Sequence, residues 1–275
     1  MIPKKSLGQN FLTNTGIIGS IVDAALIVPG ETVLEIGPGK GVLTMELLKR
    51  GAKVVAVEKD KDLIPFLQST FEKEIAKNRL VLINNDILNV VIPAEAGIHD
   101  THTTTVDPRI REDDELWKEY KLVANIPYYI TGQIIRKFLS TKKQPEKMVL
   151  LVQKEVAERI IARDGKESLL SISVKVYGTP TYVKTVKAGS FTPAPKVDSA
   201  ILLIDNISRK FFENISEERF FEILHAGFAH KRKQLFGNLK AVFDEKILRE
   251  KMKEAGILEN IRAEDVSLAG WKKLL

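Results

Sequence analysis

The sequence predicts an α/β fold, an open doubly wound sheet with a small C-terminal α-helical domain. Three observations carry that prediction: β-branched runs alternate with helical spacing up to about residue 152, a glycine-rich turn follows one of the first strands, and the pattern from residue 206 onward is almost wholly helical. With 275 residues and 44% apolar side chains, the chain is long enough to bury one sizeable core and a smaller second one.

In chain order, residues 32–36, 54–57, 80–83, 122–124 and 148–152 read as short apolar strands of the kind buried on both faces of a parallel sheet. Residues 43–50, 63–78 and 133–139 have helical spacing and supply the crossovers. Ligands of such sheets lie beyond the carboxyl ends of the strands. A helix is expected over 155–163, then strands over 171–177, 182–186 and 199–204 that finish the sheet. Phe211, Phe212, Phe220, Phe221, Leu224 and Phe228 are core candidates of the helical part. The expected division is a first domain over 1–205 and a small helical, RNA-contacting domain over 206–275.

Residues 91–115 break the rhythm. They show no period, carry Thr101, His102, Thr103, Thr104 and Thr105 ahead of Asp107-Pro108, and are long for a connection in a compact domain. The string VIPAEAGIHDTHTTTVDPRIREDD resembles translated copies of a dispersed bacterial palindromic repeat, so an atypical insertion is expected here. A substrate-gripping loop is the alternative, although seven acidic residues against Arg109 and Arg111 between 93 and 115 would repel a polyanion.

The chain has no cysteine, which excludes disulfides, thiolate nucleophiles and thiolate-bound metals. His99, His102, His225 and His230 lack ligand spacing, so no metal is expected. The apolar run at 17–28 is interrupted by Gly19, Ser20 and Asp23, and no apolar stretch of signal-peptide length follows Lys4 and Lys5. A cytoplasmic protein without membrane contact is expected. The formal charge of +6 favours a polyanionic partner. Residues 223–243 hold Lys231, Arg232, Lys233 and Lys240 with no acid, a candidate phosphate-contacting face whose alternative is an ordinary solvated helix surface.

The strand at 32–36 runs into Glu35-Ile36-Gly37-Pro38-Gly39-Lys40-Gly41, whose glycines permit a tight turn and close backbone approach to a ligand at a helix N-terminus. Val42 stands where a dinucleotide fingerprint places glycine. The E-x-G-x-G-x-G form instead resembles the turn through which class I methyltransferases hold the methionine part of S-adenosylmethionine, with Gly37 and Gly39 at the ligand. Glu58 ends the second strand, where a carboxylate accepts from both ribose hydroxyls, and Asp86 follows the third, placed to accept from the adenine amino group. Singly, each has a bland explanation as a turn or a helix cap. In register at three consecutive strand ends they indicate a nucleoside cofactor, with nicotinamide nucleotides as the competing class.

The fourth strand ends in Asn125-Ile126-Pro127-Tyr128, followed by Tyr129. An exocyclic amine is a poor nucleophile because its lone pair is delocalised into the ring, and no side chain here could usefully deprotonate it, so geometry must do the work. In the arrangement this motif implies, the Asn125 side-chain oxygen and the Ile126 carbonyl accept the two N6 hydrogens of an adenine and aim the nitrogen lone pair at the methyl group. Pro127 fixes the turn and Tyr128 stacks on a base drawn out of its own stack. The competing explanation is a strand-ending turn with an asparagine cap and a core tyrosine. A further turn, Phe191-Thr192-Pro193-Ala194-Pro195-Lys196, is stiffened by its prolines, which suits Phe191 to the other face of the base and Lys196 to phosphate, the competing explanation being a buried loop anchor.

These segments resemble the KsgA-type ribosomal RNA adenine dimethyltransferases over nearly the whole chain except the insertion. The matching strings are KKSLGQNFLTN, LEIGPGKGVLT, VAVEKD, NNDIL, VANIPYYIT, LVQKEVAERI and FTPAPKVDSAIL. The resemblance implies a Rossmann-like class I methyltransferase sheet, S-adenosylmethionine as cofactor with S-adenosylhomocysteine as product, and Gln9, Asn10 and Leu12 closing over the cofactor with Gly37, Glu58, Asp86 and Asn125. It further implies that Tyr128 and Phe191 sandwich the adenine. The substrate it implies is a pair of adjacent adenosines in the 3′-terminal hairpin loop of small-subunit rRNA, each methylated twice on a pre-30S particle by a monomer. Erm-type enzymes, which methylate large-subunit RNA, share the NIPY turn. A ribosome-assembly factor with a vestigial site and a DNA adenine methyltransferase with a separate sequence-reading domain are the other classes to be distinguished.

Overall fold

The computed structural model describes residues 3–4, 7–90 and 117–275, so the expected insertion at 91–115 lies outside the described residues. The chain forms two compact units, residues 1–157 with 181–207, and residues 158–180 with 208–275. The second unit therefore takes in residues 158–180 as well as the C-terminal helices.

The first unit is organised by nine short strands: β1 (Phe11–Leu12), β2 (Thr32–Ile36), β3 (Lys53–Glu58), β4 (Leu80–Asn84), β5 (Tyr120–Asn125), β6 (Lys147–Gln153), β7 (Thr179–Val186), β8 (Phe191–Thr192) and β9 (Ser199–Asp205). Seven of them form a sheet in the order β4-β3-β2-β5-β6-β9-β7, while β1 and β8 make a separate antiparallel pair. The strands β4, β3, β2, β5 and β6 run parallel, and β9 is antiparallel to β6. Every residue of β2 is buried, as expected for a strand covered on both faces.

The covering helices are α1 (Thr15–Ala25), α2 (Val42–Lys49), α3 (Ile64–Thr70), α4 (Glu72–Ala76) and α5 (Thr131–Ser140). The Asn14 side chain caps α1 by accepting from the Ile17 amide at 3.2 Å. The single helix expected over 63–78 is interrupted at Phe71, whose backbone leaves helical values while its ring is buried. The Phe71 ring packs against Gly41. A Cβ there would lie 2.5 Å from the Phe71 ring, so α2 can start where it does only because residue 41 has no side chain. Gly41 also has φ +76°, which a side chain resists.

The helix α6 (Lys154–Ile161), entered from β6, begins in the first unit and ends in the second, whose other helices are α7 (Leu169–Lys175), α8 (Glu217–Phe228), α9 (Leu235–Leu239), α10 (Glu245–Ala255) and α11 (Leu268–Lys273). The strand expected over 171–177 is a helix. The alternation Ser171-Ile172-Ser173-Val174 mimics a strand, but Ser168 caps the segment, its hydroxyl accepting from the Ser171 amide at 3.0 Å while the Ser171 hydroxyl accepts from the Ser168 amide at 2.6 Å. Beyond the helix, Tyr177 bonds Glu217 through its hydroxyl and packs its ring 5.3 Å from Phe212 and 6.3 Å from Phe221. Tertiary packing thus overrides local propensity. Phe220 and Leu224 are buried here as expected, whereas Phe211, Phe212, Phe221 and Phe228 are only half-buried.

One core residue carries an unusual charge state. Glu35 in β2 is 1% exposed, with one oxygen accepting from the Thr44 hydroxyl at 2.6 Å and the other without a partner among the described residues. Burial first, with the nearby Glu58 adding to it, pushes its carboxyl up to about 8 against the opposing Thr44 bond. Since the ordinary value is 4.5, the folded state binds the proton more tightly, and stability falls as pH rises from 4.5 towards 8. Glu35→Gln is neutral throughout, so its melting temperature should gain on the wild type across that window; a pH-independent gap overturns the assignment. Gly41→Ala should cost about 2–3 kcal/mol in urea unfolding, from strain at positive φ plus the clash with Phe71.

Candidate active site

β2 lies between β3 and β5, so the chain connections diverge to either side of it and open a crevice at the carboxyl edge of the sheet. Register places the crevice residues together. Ile36 is opposite both Val57 and Ala124, and Glu58 is opposite Asn84, so the residues that follow these positions converge at one edge. A cavity of about 360 Å³ lies there, walled among others by Gly37, Glu58, Asp86, Asn125 and Tyr128.

Glu58 is 5% exposed and is met by backbone donors on both oxygens: the Gly39 amide at 3.0 Å and the Asp60 amide at 2.8 Å. Burial raises its carboxyl above the ordinary value, opposed by the bonds from Asp60 and Gly39. A carboxylate with one bond per oxygen retains lone pairs for two further donors, the number a ribose diol offers. Gly37 and Gly39 both have positive φ. A Cβ on Gly39 would press on Phe11 at 3.0 Å, whereas a Cβ on Gly37 would meet, among the described residues beyond its chain neighbours, no atom within 4 Å. At Gly37 the turn leaves space beside the cavity.

The segment ahead of β1 lies across this edge. The Gln9 amide nitrogen donates to Asp60 Oδ2 at 2.8 Å, and the Lys4 ammonium donates to Asp60 Oδ1 and to Asp62 Oδ2. Gly8 lies against Tyr129 and Pro127, close enough that a Cβ would sit 3.2 Å from the Tyr129 ring. Lys4 and Asp60 were not singled out from sequence; both stand inside matching strings, but their contact spans 56 residues.

Asp86 follows β4. Its Oδ1 accepts from the Leu88 amide at 3.0 Å and its Oδ2 pairs with Lys59 at 2.8 Å. Burial works to raise this carboxyl, but the Lys59 and Leu88 bonds outweigh it and hold it below the ordinary value. Lys137 of α5 donates to the carbonyls of Leu88 and Val90 at 2.8 and 2.7 Å, which pins the turn carrying Asp86. Neither lysine was identified from sequence, since nothing in the spacing of 59, 86 and 137 brings them together.

At the end of β5 the Asn125 amide nitrogen donates to the Asn10 carbonyl at 3.1 Å. Its Oδ1 has no donor among the described residues, and Asn125 lines the cavity. Ile126 is buried, Pro127 has φ −58°, and the Tyr128 hydroxyl is bonded to Ser199 Oγ at 2.6 Å. Burial pushes the Tyr128 phenol above its ordinary value, so it is neutral.

Of the other sequence candidates, Gln9 and Asn10 line the cavity and Leu12 and Phe191 do not. Leu12 and Phe191 face each other in the β1–β8 pair, 3% and 4% exposed and part of the first unit's core. Lys196 is exposed on the loop that follows, beside an Asp198 held by Lys187. Lys231, Arg232 and Lys233 are exposed in the second unit.

Comparison with known proteins gives a consistent picture. The family model described as Ribosomal RNA adenine dimethylase matches residues 3–275. Ribosomal RNA small subunit methyltransferase A of Dehalococcoides mccartyi strain CBDB1 is 41% identical over 273 residues, 98% of this chain and 87% of the relative. The protein of that name from Fusobacterium nucleatum is 36% identical over 276 residues, covering 99% and 96%. Among solved structures, a dimethyladenosine transferase from Plasmodium falciparum superposes with TM-score 0.78 at 28% identity, covering 96% of each chain. The 23S rRNA methyltransferase ErmE gives TM-score 0.73 at 25% identity, covering 96% and 98%.

Proposed function

The chain belongs to the ribosomal RNA adenine dimethylase family, and from that premise we propose that it transfers methyl groups from S-adenosylmethionine to N6 of two adjacent adenosines in the 3′-terminal hairpin loop of small-subunit rRNA. One observation carries the chemistry: Asn125 spends its donor on the Asn10 carbonyl, keeps its acceptor unpaired among the described residues, and lines a cavity that Glu58 and Asp86 share. The identities of 36–41% to small-subunit enzymes, against 25% to ErmE, favour the small subunit over the large.

The cavity residues fit the cofactor. Glu58 suits the ribose hydroxyls, Asp86 the adenine amino group, and the open space at Gly37 the methionine part; Gln9 and Asn10 close over them. When bound, S-adenosylmethionine supplies an electrophilic methyl group carried on a sulfonium.

The protein's part is to hold the amine. Asn125 Oδ1 and the Ile126 carbonyl accept the two N6 hydrogens, which draws electron density onto nitrogen and turns its lone pair towards the methyl group. As the N–C bond forms, positive charge develops on nitrogen and both acceptors bind it more strongly than they bind the neutral amine, which lowers the barrier. The N6 proton then leaves to water. Tyr128, neutral and half-buried, offers its ring face to the extruded base. Lys196 and, in the second unit, Lys231, Arg232 and Lys233 are exposed, which supports a role for each in contacting RNA phosphates.

Incubation with labelled S-adenosylmethionine and undermethylated small ribosomal subunits, followed by mapping of modified adenosines, tests the substrate. Label confined to large-subunit RNA overturns it. Asn125→Ala should slow transfer by about 10²–10³-fold, the loss seen when one donor or acceptor of a reacting centre is removed, while cofactor affinity by calorimetry falls far less. Unimpaired transfer in that variant would remove the mechanism.

A further inference from the structure

We propose that Ser199 is a positioning residue for Tyr128, and that the hydroxyl pair they form matters more for the second methyl transfer to an adenosine than for the first. The proposal rests on the function proposed above and deepens it. The Tyr128 hydroxyl and Ser199 Oγ are 2.6 Å apart. Ser199 is fully buried as the first residue of β9, in register with Gln153 of β6, so it belongs to the sheet and not to a loop. Tyr128, by contrast, sits in the short 3₁₀ turn Tyr128–Ile130.

A tyrosine ring has two free torsions, and because its hydroxyl lies on the axis of the second, holding that hydroxyl from a strand fixes the first, the direction in which the ring points. The position of the ring beside the target base is therefore set from the strand behind it as well as from the turn that carries it. Phenylalanine would stack equally well in chemical terms but could not be tethered in this way.

The asymmetry between the two transfers follows from counting hydrogens. An unmodified adenosine has two N6 hydrogens for the two acceptors at Asn125 and Ile126. After one transfer only one remains, and the base is held by a single amine hydrogen bond plus the stack. The ring then carries a larger share of the orientation, so any freedom given to Tyr128 weighs more heavily on the second step. In both steps the N6–C bond forms as the sulfur–carbon bond breaks, its electron pair stays on sulfur, and the displaced N6 proton goes to water.

The test measures N6-methyladenosine and N6,N6-dimethyladenosine over time in undermethylated small subunits treated with full-length wild type, Ser199→Ala, Tyr128→Phe and the double variant, with cofactor affinity measured in parallel. Ser199→Ala should keep its cofactor affinity and slow the first transfer by about fivefold, the worth of one hydrogen bond, with a larger loss in the second so that monomethyladenosine accumulates. Tyr128→Phe should reproduce that pattern, and the double variant should be no worse than either single one. A wild-type ratio of mono- to dimethyladenosine in Ser199→Ala overturns the proposal. So does an equal loss in both steps, which is what a smaller folded fraction produces, or a double variant whose loss is the product of the singles. Wild-type protein that modifies no small-subunit adenosine overturns the functional reading itself, and this proposal with it.

Discussion

Burying a carboxylate at the rim of a parallel sheet obliges the chain to bring donors to it, and Glu58 concentrates that requirement. Its two backbone donors come from opposite directions. Gly39 presents its amide only because the glycine turn runs through positive φ, and Asp60 presents its own because the chain folds back immediately after β3. Asp60 in turn becomes the point at which Lys4 and Gln9 fasten the N-terminal segment. The glycine turn, Glu58 and the N-terminal residues Lys4 and Gln9 are thus joined through the pair Glu58 and Asp60. Burial disfavours the charge on Glu58, so removing either donor would leave the carboxylate poorly compensated.

What could be read from sequence and what could not divides along contact distance. The parallel strands were readable because burial on both faces demands uninterrupted apolar runs, and the glycine turn because positive φ restricts residue type. Glu58, Asp86 and Asn125 were readable because strand ends are local features whose order fixes which side chains meet at the rim. The segment at 171–177 was misread because Ser-Ile-Ser-Val has a strand's alternation, and what makes it helical is a serine cap together with aromatic partners some forty residues further on. The packing of the Phe71 ring depends on the absence of a side chain at Gly41, thirty positions earlier. Lys137, Lys59 and Ser199 act through single atoms reaching across the fold, and no periodicity in the chain encodes such contacts.

Phe191 shows how a motif can be recognised while its surroundings stay hidden. Its sequence, an aromatic residue followed by spaced prolines, suggests a platform for a base. In the structure its backbone pairs with Leu12 and its ring joins the first unit's core, while Thr13 also bonds the Ser190 carbonyl. The turn and the N-terminal segment are therefore one antiparallel element, and a shift in either moves the other.

That linkage bears on how a site without a general base is made ready. An asparagine can turn either end of its amide towards a ligand, and only the oxygen is useful to an amine. The Asn10 carbonyl settles the choice by accepting from Nδ2, which leaves Oδ1 for the substrate. Asn10 is the neighbour of Gln9, which holds Asp60, and precedes β1, which pairs with β8. The stretch that borders the cavity is thus also the one whose backbone accepts from Asn125. In the reaction proposed above, whose rate comes from geometry, one stretch of chain therefore both borders the cofactor cavity and holds the amide that faces the amine.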